Sequence, residues 1–262
     1  MITIHRLIVA VAFVAFAPLA AHAQPQPADQ ALSPLQVAVA CAIPPETLVS
    51  GSATLHVIGS QDPAARSDFS NHDMLVLDAG SSKGIEVGQR YFTRRPLITR
   101  YTGVQGVAHT SGWIRVVAVN ENRAIAAVDQ ACSDIRPGDV LEPFVVPVLP
   151  ADVSAVDRSV EPDFKSMGRV VFGDQEHNSV GAGDFVLIDR GTDQGLATGS
   201  RFAIYRNVRP WKGDYGGSTT QLPLTAIGEG VVVATGPTMA TLQILAARDA
   251  VFGGDFVVPR KK

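Results

Sequence analysis

The chain is short of the patterns that most chemistry requires. It holds two cysteines, and its histidines beyond the leader (His56, His72, His109 and His177) never stand in the His-x-x-x-His or Cys-x-x-Cys spacing that brings two ligands to one metal. No metal and no cofactor is expected. Charge of one sign is not concentrated either: 22 Lys and Arg against 25 Asp and Glu leave a net charge of -3. The basic residues are scattered, which argues against a nucleic-acid partner, because neutralising phosphates takes a concentrated basic surface. Helical periodicity is missing over any useful window. Beyond the leader, no apolar run reaches the roughly 20 residues that span a bilayer without a charge or a Gly/Pro break, so no transmembrane segment is expected in the mature chain.

What is present begins with an export signal. Arg6 supplies the positive end, Leu7 to Ala17 the apolar stretch, and Ala21-His22-Ala23 the small-x-small cleavage box. Residues 1–23 are therefore read as a signal peptide cleaved after Ala23, and the mature protein as periplasmic or secreted. Export places Cys41 and Cys132 in an oxidising compartment, where such a pair forms a disulfide. Residues 24–49, rich in Gln, Pro and Ala at their start, read as a flexible extension. Within them Leu35 to Ala40 suits a short helix or strand leading to Cys41, and Ile43-Pro44-Pro45 ends it.

The dominant feature is an internal repeat. The stretch Asp73–Arg95 recurs without a gap 111 positions later as Asp184–Arg206, with Asp73, Asp78, Gly80, Gly84, Gly88, Arg90 and Arg95 identical. A second block, Thr110–Pro143, recurs 116 positions later as Ala226–Pro259. Each copy reads as short β-prone runs broken by Gly, Asp and Asn turns, the signature of a small barrel or sandwich. The expected organisation is all-β: barrel repeats over 50–144 and 165–260, joined by a proline-containing linker, 145–164, without a core of its own. Gly80/Gly191, Gly84/Gly195 and Gly88/Gly199 are expected at turns with positive φ. Asp78/Asp189 and Asp139/Asp255 are expected to hold turn amides. The counterpart of Cys132 in the second copy is Arg248, so the disulfide would tie the N-terminal extension to the first barrel alone.

Gly80-Ser-Ser82-Lys-Gly84 fits the G-x-S-x-G pattern of a nucleophile elbow, but that elbow needs a helix after it. Here Gly88 interrupts, and copy two carries Asp193 at the serine position. No catalytic residue is assigned. Binding residues are sought where the copies diverge, in the segments between the matched blocks. The second holds Arg209, Trp211, Lys212 and Tyr215, an aromatic and basic cluster of the kind that anchors interfaces; the first holds Arg100 and Tyr101.

The pattern Asp78-Ala-Gly80 through Tyr91 with Pro137-Gly-Asp139, and Asp189-Arg-Gly191 through Phe202 with Gly253-Gly-Asp255, resembles the C-terminal domain of the flagellar assembly protein T family. Similar units follow LysM modules in some bacterial envelope proteins. The resemblance implies small SH3-like β-barrels and a non-enzymatic envelope role. That family's other domains and any LysM module are lacking, so neither flagellar function nor glycan binding carries over. The expectation is an exported adaptor or structural protein of the cell envelope that presents two β domains to envelope proteins. Its alternatives are a peptidoglycan- or glycan-binding protein and a hydrolase with a site between the barrels.

Overall fold

The computed structural model describes residues 31–45, 55–62, 64, 66–97, 107–151, 153, 160–173, 179–207 and 223–261. The expected leader, 1–23, lies outside them. No helix among the described residues is long and apolar enough to cross a membrane.

Each repeat closes its own six-stranded antiparallel barrel. The first is built from β1 (Leu55–Ser60), β2 (Met74–Leu77), β3 (Arg90–Pro96), β4 (Ala108–Val119), β5 (Ala124–Ala131) and β6 (Val140–Pro143), in the order β1-β2-β5-β4-β3-β6. The second uses β7 (Gly168–Gly173), β9 (Phe185–Ile188), β10 (Arg201–Asn207), β11 (Leu224–Thr235), β12 (Ala240–Ala247) and β14 (Phe256–Pro259) in the equivalent cyclic arrangement. A two-stranded sheet of β8 (Ser179–Val180) and β13 (Val251–Phe252) flanks it; the first barrel has a single bridge there, Phe69 to Ile135. Register confirms the copies: Leu77 faces Ala124 as Ile188 faces Ala240, each pair being one repeat unit apart. The interiors are separate. One is packed from Val57, Leu75, Leu77, Ile114 and Val128, the other from Val186, Ile188, Ile204, Leu242 and Ile244.

The repeated glycines divide into two physical classes. Gly84 and Gly195 close the 3₁₀ turns Ser81–Lys83 and Thr192–Gln194 at φ 77°, in the left-handed region that a side chain disfavours. Gly80 and Gly191 depart from the expectation of positive φ: their backbone is extended, at -134° and -144°. They are glycine because the chain crosses another backbone there. A Cβ on Gly80 would stand 2.1 Å from Asn120 O, and one on Gly191 2.4 Å from Gly236 O.

Asp139 and Asp255 hold turn amides as expected, accepting from Arg136 N and Phe252 N, whereas Asp78 and Asp189 depart from that expectation and bond strand amides. Asp78 Oδ1 accepts from His56 N and Asp189 Oδ1 from Arg169 N, fastening equivalent strands. Asp139 and Asp255 each accept two hydrogen bonds from a distant arginine of β3 or β10. Arg95 Nε and Nη2 lie 2.8 and 3.0 Å from the two Asp139 oxygens, and Arg206 repeats this on Asp255 at 2.8 and 2.6 Å. Asp139 is 1 % exposed. A buried carboxylate is tolerated only when paired and hydrogen-bonded, so the identical Arg in the first block and the identical Asp in the second are explained together. They form one clamp per barrel, fixing the hairpin before the last strand.

The stretch 24–49 is not uniformly the flexible extension expected. Pro34–Cys41 is an α-helix, α1, with a capping box: Gln36 N donates to Ser33 Oγ and Ser33 N to Gln36 Oε1, with Pro34 in the first turn. Eight residues are too few for a helix to persist alone; α1 exists because it is buried on both sides. The linker has contacts of its own with the second barrel. Leu149 and Val153 pack with Phe185, Val231 and Val233 on the outside of the second barrel.

Candidate functional site

The expected partner-binding residues Arg100 and Tyr101, and Arg209, Trp211, Lys212 and Tyr215, lie outside the described residues. Their segments join equivalent strand pairs, β3 to β4 and β10 to β11. At the base of the second segment is a concavity of about 580 Å³ beside Asn207. Arg206 lies 4.8 Å over the Phe252 ring and Arg169 4.3 Å over Phe256. The hydrogen bonds that Arg206 donates to Asp255 hold its guanidinium above its ordinary pKa. It is thus a fixed charge of the clamp, placed where the hairpin leaves the barrel.

Cys41 and Cys132 are brought together as expected, with Cα atoms 5.5 Å apart and sulfurs bonded. What sequence reasoning missed is that the segment they anchor touches both barrels. On one side, Ala40, Val37 and Cys41 pack with Phe92, Trp113 and Phe144 of the first barrel. The Phe92 and Trp113 rings meet edge to face at 6.4 Å, and Phe144 lies 4.7 Å from Phe92. On the other side, Val39 and Ala42 pack with Phe185, Val231 and Val233 of the second barrel. Just beyond α1, Ile43 joins Val107 of the first barrel to Phe172, Leu187 and Met239 of the second.

Two successive carbonyls complete the junction. Ala42 O accepts from Thr110 Oγ1 at 3.1 Å, and Ile43 O from Thr241 Oγ1 at 2.6 Å. Thr110 belongs to β4 of one barrel and Thr241 to β12 of the other, and both are buried. Neither is repeated: their counterparts are Ala226 and Ile125. Pro45 closes the contact, its carbonyl oxygen standing where a Cβ on Gly236 would come within 2.4 Å. Full burial of Ile43 alone contributes about 2 kcal/mol, and a carbonyl left without its threonine would cost about 1–3 kcal/mol. The relative placement of the two barrels is therefore set by this segment rather than by the linker alone.

A sequence signal for this docking exists. Copy two's Phe185–Ile188 is buried at every position where copy one's Met74–Leu77 alternates, but both runs are wholly apolar, so the signal lies in the neighbouring strand. Arg115-Val-Val117 becomes Val231-Val-Val233. A strand apolar on both faces is covered on both faces.

For reactive groups, Ser82 sits exposed in the 3₁₀ turn Ser81–Lys83. A Ser–His contact occurs elsewhere, His109 Nε2 to Ser133 Oγ at 2.6 Å. Among the described residues, no group of three His, Cys, Asp or Glu is close enough to hold a metal. No protein-family model matches the chain, and no curated protein matches it.

Proposed function

We propose that the protein is a non-enzymatic, exported adaptor of the cell envelope, in which two SH3-like barrels are displayed to protein partners as one body. The observation that carries this is the double docking of residues 33–45. A strap held by a disulfide and Thr110 on one barrel, and by Thr241 on the other, fixes the spacing and orientation of both hairpins. Two binding segments that leave strand pairs of fixed spacing raise each other's effective concentration, provided that the partner matches their span.

The test is cross-linking in cells followed by mass spectrometry, comparing the native chain with a Trp211→Ala/Tyr215→Ala variant of unchanged thermal midpoint. Envelope proteins captured by the native chain and lost with the variant would support the reading. An identical set from both would refute it. Covalent labelling of Ser82 or Ser133 by a serine-directed probe would replace it with a hydrolase. Co-sedimentation with purified sacculi, undiminished by the variant, would replace it with peptidoglycan binding.

A further inference from the structure

The second barrel carries a cleft of about 720 Å³ between its wall and the chain segment that leads into it, Val160 to Ser166. Arg190, Arg201, Arg260 and Lys261 line it, against one carboxylate, Asp163. Leu196 and Pro259 supply its apolar lining, while the Phe202 side chain is turned into the barrel interior. In a chain of net charge -3, this is a local reversal of sign.

The repeat provides an internal control for what the fold itself requires. Phe144 N donates to Arg90 O, and Arg260 N to Arg201 O, so these positions are structurally equivalent. At the four cationic positions of the cleft, copy one has Ala79, Arg90, Phe144 and Val145. Three of the four charges are therefore additions that a stable barrel of this kind does without. In copy one, moreover, the position equivalent to Arg260 serves the chain itself. Arg90 stacks 4.2 Å over Phe144, and Phe144 packs with α1 of the chain itself. Where copy one offers aromatic rings to an apolar helix, copy two has Ala203 for Phe92, Glu229 for Trp113 and Arg260 for Phe144.

The added arginines are held in place. Arg190 donates to Met167 O, and Arg260 donates to Val160 O at 2.6 Å while standing 3.3 Å from Glu229. Each guanidinium has five N–H donors in a rigid fork. These contacts orient the fork and leave donors for a planar carboxylate.

We propose that this cleft of the second barrel binds an acidic peptide segment, with Asp or Glu carboxylates on Arg190 and Lys261 and apolar side chains against Leu196 and Pro259. The site is independent of the hairpin residues of the adaptor reading, and either can fail without the other.

The experiment uses the full mature chain and a fluorescent eight-residue peptide alternating Asp/Glu with Leu/Val. Its Asn/Gln counterpart and inorganic phosphate serve as controls. Anisotropy is expected to show binding of the acidic peptide at least tenfold tighter than the neutral one, weakening as salt rises. Amide NMR shifts are expected at Gly195, Ser200 and Arg201 and not at their counterparts Gly84, Gln89 and Arg90. The double variant Arg190→Gln/Lys261→Gln, folded by circular dichroism, should lose about tenfold in affinity. Trp211→Ala/Tyr215→Ala should lose none. Equal affinity for the neutral peptide, shifts in the first barrel, or indifference to Arg190→Gln/Lys261→Gln would overturn the proposal. Displacement of the acidic peptide by inorganic phosphate at equal concentration would also overturn it, in favour of a simple anion site.

Discussion

Removing the disulfide should weaken the two barrels unequally. The bond closes a loop of 91 residues that contains almost the whole first barrel and none of the second. Cross-linking a loop of that length lowers the entropy of the unfolded chain by an amount worth about 4–5 kcal/mol at 25 °C. That constraint belongs to the unfolding of the first barrel. The second barrel is weakened only as far as α1 becomes less firmly held, since Val39, Ala42 and Ile43 still have their own contacts with it. The perturbation is Cys41→Ala/Cys132→Ala in a Trp211→Phe background, which leaves Trp113 as the sole tryptophan. Trp113 is buried in the cluster around the disulfide, so its fluorescence reports the first barrel. Guanidinium titration should show that transition losing about 4 kcal/mol, with hydrogen exchange of β9 and β12 amides changing by less than half as much. A loss below about 1 kcal/mol at Trp113, or an equal loss in β9 and β12, would refute the assignment of the constraint to the first barrel.

Two further outcomes concern single sites. Asp73 accepts from both Arg66 Nη1 and Nη2, at 2.9 and 2.8 Å, and from Ser70 N at 2.8 Å; the Arg66 hydrogen bonds chiefly hold its pKa below the ordinary 3.8. Because the folded value is the lower one, its stabilisation is complete above about pH 4 and is lost as pH falls through the depressed value. Asp73→Asn should therefore flatten the acid limb of a stability–pH curve below pH 4, and an unchanged limb would count against the pair. Thr93 and Ser111 are fully buried, with hydroxyls that make no hydrogen bond, where copy two has Ile204 and Ile227. Thr93→Val and Ser111→Ala should leave stability unchanged or raise it by about 1 kcal/mol; a loss larger than that in a denaturant titration would show that the hydroxyls are satisfied.

The architecture was legible because it is written in local chemistry. Gly84 and Gly195 mark turns wherever they occur, and the same run of strand and turn read twice can only be two units. The disulfide followed from compartment and count. What escaped was everything that depends on surfaces meeting. Arg95 and Asp139 are both repeated, but they are 44 residues apart, and periodicity carries no distance between strands. Thr110 and Thr241 were illegible for a different reason: each is unique to its copy and acts on a neighbouring segment. Val231–Val233 did carry its message, as a run apolar on both faces; it needed comparison with Arg115-Val-Val117 to be heard. The same comparison, applied to Ala79, Phe144 and Val145, reveals the cationic cleft.

The strap also dictates an order of events. Residues 33–45 are made early, yet the covalent partner of Cys41 arrives 91 residues after it, and the hydroxyl for Ile43 O lies 198 residues beyond Ile43. Contacts so remote in sequence form slowly. The first barrel can close before the remainder of the chain is in place, but the tie between the halves waits for β12. An intermediate with one finished barrel, and with the second-barrel contacts of residues 33–45 still open, is the stage this sequence order implies.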